Sequence, residues 1–302
     1  MPLQFATSHL LWRPFDRQHE GPGADAAQLK IVTDFVNGFF RSHGHPGQAQ
    51  DVHAARWYAS QHQAFRVMLT QLVGELENQA RLDNLDLVVL AHWTPDVEVG
   101  CSVTNAIIHQ TGCRDAFGMA ISDHGLSSAF FALQVIEDYL DDNNRGRHEK
   151  KALLLIADQN AIMYDSPTLA RFNPVASACV VMLHSRSGEP DGPPPAGITF
   201  KHYRKLPFPA TPLALDTLLA TLEMFTPEED RLPLLILTTP GFAETVREHQ
   251  PLAAHRIECW DEALLSCAPW ARLEQLAPTH HRILLMLPEG NALTCTGFVA
   301  GA

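Results

Sequence analysis

Continuous apolar runs and helically spaced apolar positions alternate along the chain, and together they predict its elements. LDLVVLAHW (85–93) reads as a buried strand, and SVTNAIIHQTG (102–112) as a helix stopped by Gly112. AFGMAIS (116–122) predicts a strand of small residues and LSSAFFALQVIEDYL (126–140) a helix buried on most of its surface. KALLLIAD (151–158) and ASACVVMLH (176–184) predict two more strands, which gives the βαβ rhythm of an α/β sheet. Upstream, AAQLKIVTDFVNGFF (26–40) reads as a helix, and residues 53–80 have helical apolar spacing through Trp57, Phe65, Met68, Leu69, Leu72 and Leu76.

SRSGEPDGPPPAG (185–197) interrupts the rhythm with proline and glycine. It divides the chain into an N-terminal half (1–184), a linker (185–197) and a C-terminal half (198–302). The second half repeats the alternation more weakly. After ITFKHYRKL come helices near 213–225 and 241–249, with the strand LPLLILT (232–238) between them. A helix over WDEALLSCA and the strands RILLML (282–287) and ALTCTGFVA (292–300) close the chain. The related order implies a duplicated α/β architecture.

The length of 302 residues, with 46% hydrophobic and 19% charged residues, suits a large folded α/β unit. A net charge of −12 argues against a nucleic-acid partner, because such binding needs clustered Lys and Arg. Arg145, Arg147, Lys150 and Lys151 form one loose basic cluster, read as a solvated helix end. Glu228, Glu229 and Asp230 read as a solvated helix start. No apolar run is long enough to span a bilayer, the N-terminus lacks signal-peptide features, and the six cysteines form no CxxC pair. A cytoplasmic protein with no membrane partner is expected.

Sixteen histidines include no HExxH. His43 and His45 flank a loop glycine and the His280-His281 pair has no sequence companions, so scattered surface histidines are expected, with no metal and no cofactor. Neither GxxxxGK[ST] nor GxGxxG occurs.

The most informative stretch is Ser122-Asp123-His124-Gly125, where a strand turns into a buried helix. Free N–H groups and the helix dipole favour negative charge at such a turn, which can activate a thiol or hold an oxyanion. The simplest role for Ser122 or Asp123 there is an N-cap.

The order TPD, a helix ending in QTG, DAFGMAISDHGLSSAFFALQVIEDYL, KALLLIAD and RFNPVASACVVML resembles the β-ketoacyl-acyl carrier protein synthase III branch of the thiolase superfamily. The resemblance implies a layered α-β-α-β-α fold of two similar halves. It aligns Asp123 with the nucleophilic cysteine, Gly125 with the elbow glycine and Gly118 with a strand aspartate. Phe172-Asn173-Pro174 replaces a glycine turn, and Gly290 alone remains of a glycine-rich turn in the closing strand pair. Thr239 falls where the family has its histidine, and Asp261, after Trp260, where it has its asparagine.

Condensation needs an acyl-thioester on the enzyme, donors for the enolate and an oxyanion hole. A carboxylate accepts acyl groups poorly, since the mixed anhydride lies uphill. The resemblance therefore implies a non-catalytic subunit in secondary metabolism, paired with an active ketosynthase III-like paralogue or with itself. Acyl carrier protein is a possible partner, and acyl-coenzyme A or acyl carrier protein possible substrates. Three alternatives stay open. One is an acyltransferase or thioesterase with His124 as base, oriented by Asp123 or Asp261. Another is an α/β-hydrolase-like enzyme with Asp123 as nucleophile, although Ile121 replaces the first glycine of that elbow. The third is a binding module that keeps the pocket alone. Cys101 is expected to be a buried or interface thiol rather than a displaced nucleophile, and Trp93 to pack in the core.

Overall fold

The computed structural model describes residues 2–15, 26–44, 51–122, 124–142, 149–186, 197–208, 234–248, 255–276 and 282–300. Asp123, the expected helix at 213–225, Glu228 to Asp230, His45, Arg145, Arg147, His280, His281 and most of the 185–197 linker lie outside the described residues.

The first half contains β1 (Leu3–Phe5), β2 (Leu10–Pro14), α1 (Ala26–Ser42), α2 (Asp51–Ala59), α3 (Phe65–Leu76), β3 (Leu87–Ala91) and α4 (Val103–Thr111). It continues with β4 (Phe117–Ile121), α5 (Ser128–Asp142), β5 (Glu149–Asp158), α6 (Pro167–Phe172) and β6 (Ser177–Arg186). The second half contains β7 (Ile198–Pro207), β8 (Leu234–Thr238), α7 (Pro240–Arg247), β9 (Arg256–Cys259), α8 (Ala268–Leu276), β10 (Arg282–Glu289) and β11 (Ala292–Ala300).

Pairing repeats in the two halves. In the first, β3 lies parallel to β4 and β5, β5 is antiparallel to β6, and β6 to β2. In the second, β8 lies parallel to β9 and β10, β10 is antiparallel to β11, and β11 to β7. The short β1 pairs with both β6 and β7 and joins the halves into one sheet of 11 strands.

Alternation along the strands shows how the layers stack. Leu87, Val89 and Ala91 of β3 share one core with Leu235 and Leu237 of β8, with Phe130 and Leu133 of α5, and with Trp270 of α8. The other face of β3, Val88 and Leu90, packs with α3 and α4, while Leu234 and Ile236 of β8 pack with Phe242 and Val246 of α7. Successive strand side chains point to opposite faces. The layers therefore run α3 and α4, first half-sheet, α5 and α8, second half-sheet, α7. Sandwiched between the two halves of the sheet, α5 has its apolar residues spread around its surface, as its sequence implied. Phe5, Trp270 and Phe298 meet in this central layer with ring centroids 6.1–6.4 Å apart.

Several details differ from the sequence expectation. Residues 53–80 form two helices separated by a 3₁₀ turn at Gln61–Gln63. ITFKHYRKL is the strand β7, and RIEC forms the unanticipated strand β9. WDEALLSCA holds a 3₁₀ turn, Glu262–Cys267, with buried Leu265 at φ 49° and ψ −126°, before α8 begins. Lys150 is buried and its Nζ donates to the Leu140 carbonyl, so it is no part of a solvated helix end. Among the described residues, no helix is long and apolar enough to cross a membrane.

The junction through β1 carries a pH dependence. His9, in the turn between β1 and β2, lies with its ring centroid 5.7 Å from that of His184 on β6, and Glu149 Oε1 is 3.2 Å from His184 Nδ1. Burial lowers both histidine pKa values. For His184 the neighbouring His9 and Lys151 act in the same direction and Glu149 opposes them. A lowered value means that the unfolded chain binds more protons. The stability these rings contribute is present above about pH 6.5 and is lost as the pH falls through that value toward the folded pKa values. Thermal midpoints should fall between about pH 7 and pH 5.5, and less so in His184→Asn; equal slopes would contradict this.

Candidate active site

The candidate site lies at the carboxyl ends of the strands, where open α/β sheets expose their loops. β3 leads to Trp93, β4 to the elbow, β8 to Thr239, β9 to Trp260 and Asp261, and β10 to Glu289. Trp93, Leu126, Thr239, Asp261 and Glu289 line one cleft of about 900 Å³. A separate cavity of about 390 Å³, among Asp83, Asp86 and Lys150, lies near the amino ends of β3 and β5, away from the elbow.

At the elbow, β4 ends at Ile121 and the chain passes through a 3₁₀ turn, Gly125–Ser127, into α5. His124 is the residue before that turn and its side chain does not cap it. Instead, the Leu126 N–H donates to Glu289 Oε1 at 2.9 Å, and Ser127 Oγ lies 3.4 Å from Oε2 and 2.7 Å from the His124 carbonyl. The carboxylate at the start of the elbow helix thus comes from the second half of the chain. Gly125 has φ +60°, and a Cβ there would sit 2.1 Å from Glu289 Oε1, so both the backbone and the space call for glycine. Gly290, at φ +59°, begins the two-residue loop joining Glu289 to Ala292, where a tight hairpin turn favours glycine.

The other cleft positions are also helix caps. Thr239 Oγ1 accepts from the Phe242 N–H at 3.4 Å, with Pro240 in the first turn of α7. Asp261 Oδ1 accepts from the Ala263 N–H at 3.0 Å. His124 does not share this wall. Its ring stacks on Phe131 at 4.1 Å, and its Nδ1 is buried without a hydrogen-bond partner among the described residues. Of the sequence candidates, Thr239 and Asp261 meet in the cleft, while His124 faces α5.

Asp158, at the end of β5, supports the site from behind. It is fully buried; Oδ1 accepts from the Trp93 and Thr94 N–H groups and the Thr94 hydroxyl at 2.8–3.0 Å, and Oδ2 from the Ser266 N–H at 2.9 Å. Ser177 Oγ donates to the Leu264 carbonyl at 3.0 Å. These bonds pin both neighbours of Leu265 and hold its unfavourable backbone beside the cleft.

The glycines missing from the resemblance have physical replacements. Asn173 takes the left-handed conformation, φ 44°, at the end of α6. A Cβ at Gly118 would lie 2.9 Å from Thr104 Oγ1, so close packing of α4 leaves no room for an aspartate there. Trp93 both packs and lines the cleft, meeting Phe172 edge-on with ring centroids 5.9 Å apart, and Arg171 lies over Phe172 at 4.7 Å. Cys101 is half-buried beside the Arg66–Glu98 ion pair; burial first, then Glu98, pushes its thiol pKa up, opposite to the activation of a nucleophile. Among the described residues, no group of three His, Cys, Asp or Glu side chains forms a candidate metal site.

Two half-sheets of the same pairing order around a central helical layer define the thiolase-like class of α/β fold. Solved structures of this class align over nearly the whole chain. The tetronic acid condensing enzyme AbyA1 shares 16% identity at a TM-score of 0.59, covering 99% of this chain and 100% of its own. Acetamide-bound OleA from Xanthomonas campestris shares 10% at 0.62, covering 99% of each chain. A 3-oxoacyl-(acyl-carrier-protein) synthase III shares 12% at 0.61, covering 99% and 100%. At these identities the likeness establishes the fold, and it sets aside the α/β-hydrolase-like alternative. No protein-family model and no curated protein matches the sequence.

Proposed function

We propose that the chain is a catalytically degenerate ketosynthase III-like subunit that pairs with an active paralogue in acyl condensation or acyl transfer. Secondary metabolism of polyketide, fatty-acid-derived or alkylquinolone-like products is the setting that the sequence resemblance suggests. The observation that carries the reading is the use of cleft side chains as caps. Thr239, Asp261 and Glu289 each hold a backbone N–H, and none of the described lining residues is cysteine or histidine.

Such a set is built for rigidity. Threonine cannot shuttle a proton as imidazole does, and a carboxylate at the helix start repels a developing oxyanion. The proposed role of the chain is to shape or stabilise a partner's acyl pocket. β4 is an edge strand, paired with β3 alone among described strands, and Phe117 on it is 52% exposed and stacked on Tyr139. An exposed edge with an aromatic side chain suits pairing with another subunit. Six free thiols suit a reducing cytoplasm.

The test is co-expression with a ketosynthase III-like paralogue that carries the cysteine nucleophile. A stable complex is expected, and Phe117→Lys should reduce its recovery at least about tenfold while leaving the fold intact. Thioester turnover at enzyme-like rates by the isolated chain would contradict the reading.

A further inference from the structure

We propose that the cleft binds an organic ammonium ion with an aromatic body, held between aromatic walls and met by carboxylates that the chain leaves without a cation. The space of about 900 Å³ is walled by Trp93, Phe172 and Trp260 and carries the carboxylates of Asp261, Glu262 and Glu289. Ring faces are the negative side of an aromatic quadrupole, so the two kinds of wall attract the same sign of charge. Against the three carboxylates the described lining sets one cation, Arg171, and its guanidinium lies over the Phe172 ring at 4.7 Å. The aromatic wall thus already takes a cation from the chain itself.

Among the described residues, none of the three carboxylates forms an ion pair. Asp261 Oδ1 and Glu289 Oε1 each accept a backbone N–H. Glu289 Oε2 has only Ser127 Oγ beside it, 3.4 Å away, and that hydroxyl gives its proton to the His124 carbonyl at 2.7 Å. Acceptor capacity facing the cleft is therefore left over. Trp260 points to a ligand independently. It is 5% exposed and lines the cleft, and its indole N–H has no hydrogen-bond partner among the described residues. A buried indole N–H ordinarily finds an acceptor, and an oxygen on the ligand would supply it. The matching class is an aromatic amine with a ring hydroxyl. The same carboxylates disfavour the phosphate-bearing thioesters of coenzyme A and acyl carrier protein.

This inference goes beyond the functional reading, and its test involves neither partner nor turnover. Tyramine and 3-(4-hydroxyphenyl)propanoate, which share a hydroxylated ring on a two-carbon chain and differ in the sign of their charge, are titrated calorimetrically into the full chain. Tyramine should bind wild type at least about tenfold tighter than the anion. Glu262→Gln and Glu289→Gln, each checked for folding by near-ultraviolet circular dichroism, should weaken tyramine at least about threefold and leave the anion no weaker. Gln at 289 keeps an oxygen for the Leu126 N–H, and Glu262 accepts no hydrogen bond among the described residues, so both variants should fold. Equal affinities for the two probes, tighter binding of the anion, no binding of tyramine by the wild-type chain, or unchanged tyramine affinity in both folded variants overturns the proposal. A failure to pair with a paralogue would instead count against the functional reading alone.

Discussion

Asp158→Ala should destabilise the protein by about 3 kcal/mol or more, because each buried donor left without an acceptor costs about 1–3 kcal/mol. Asp158 is fully buried and gathers the Trp93, Thr94 and Ser266 N–H groups and the Thr94 hydroxyl. It ties the end of β5 to the loop after β3 and to the 3₁₀ turn of the second half. Without it, no other hydrogen bond among the described residues holds the Ser266 N–H beside the strained Leu265. Asp158→Asn retains one carbonyl oxygen for the three bonds at Oδ1 but turns an NH₂ toward the Ser266 N–H, and the loss should be smaller. Urea unfolding followed by tryptophan fluorescence measures both. An Ala variant within about 1 kcal/mol of wild type would show that the carboxylate is not what holds the two halves in register at the cleft.

Gly125→Ala should cost about 2–5 kcal/mol. A left-handed backbone costs a non-glycine residue about 1–2 kcal/mol, and displacing Glu289 leaves the Leu126 N–H unpaired at about 1–3 kcal/mol. The second part depends on Glu289. In a Glu289→Gly background the same substitution should cost only the backbone part, giving a coupling of about 1–3 kcal/mol in a double-mutant cycle. Additive effects would mean that the approach of Glu289 to Gly125 contributes nothing to stability.

Much of the fold can be read from local pattern. β3, β5, β6, β8, β10 and β11 are nearly continuous apolar runs because both faces of these strands meet a packed layer. Elements whose character depends on distant partners are harder to read. β7 buries only Ile198 and Phe200 at its start, is mostly exposed and polar beyond them, and pairing with β11 makes it a strand. β1 and β9 have three and four residues, too few for a period to appear. The run EALLSC is apolar enough for a helix, yet Asp158 and Ser177 draw its backbone into a kinked 3₁₀ turn.

The candidate site divides in the same way. The order of strands and turns places Thr239 at a strand end, whereas Asp261, in a run read as a helix, is singled out by the resemblance alone; the structure brings both to one cleft with the elbow. Glu289 gives no comparable signal. It is the last residue of β10, beside the Gly290-Asn291 turn, where a polar residue is ordinary, and only the tertiary fold carries it across 163 positions to the start of α5. The cap expected of neighbouring Ser122 or Asp123 has a long-range counterpart in Glu289, which takes the Leu126 N–H.

The most direct measurement is intact-protein mass spectrometry of the purified chain after incubation with an acyl-coenzyme A. Cap-bound side chains that neither form a stable ester nor receive a thioester's cargo predict an unchanged mass. An adduct of the acyl mass, mapped to any residue of the elbow or the cleft, would show that this scaffold still performs the first step of condensation.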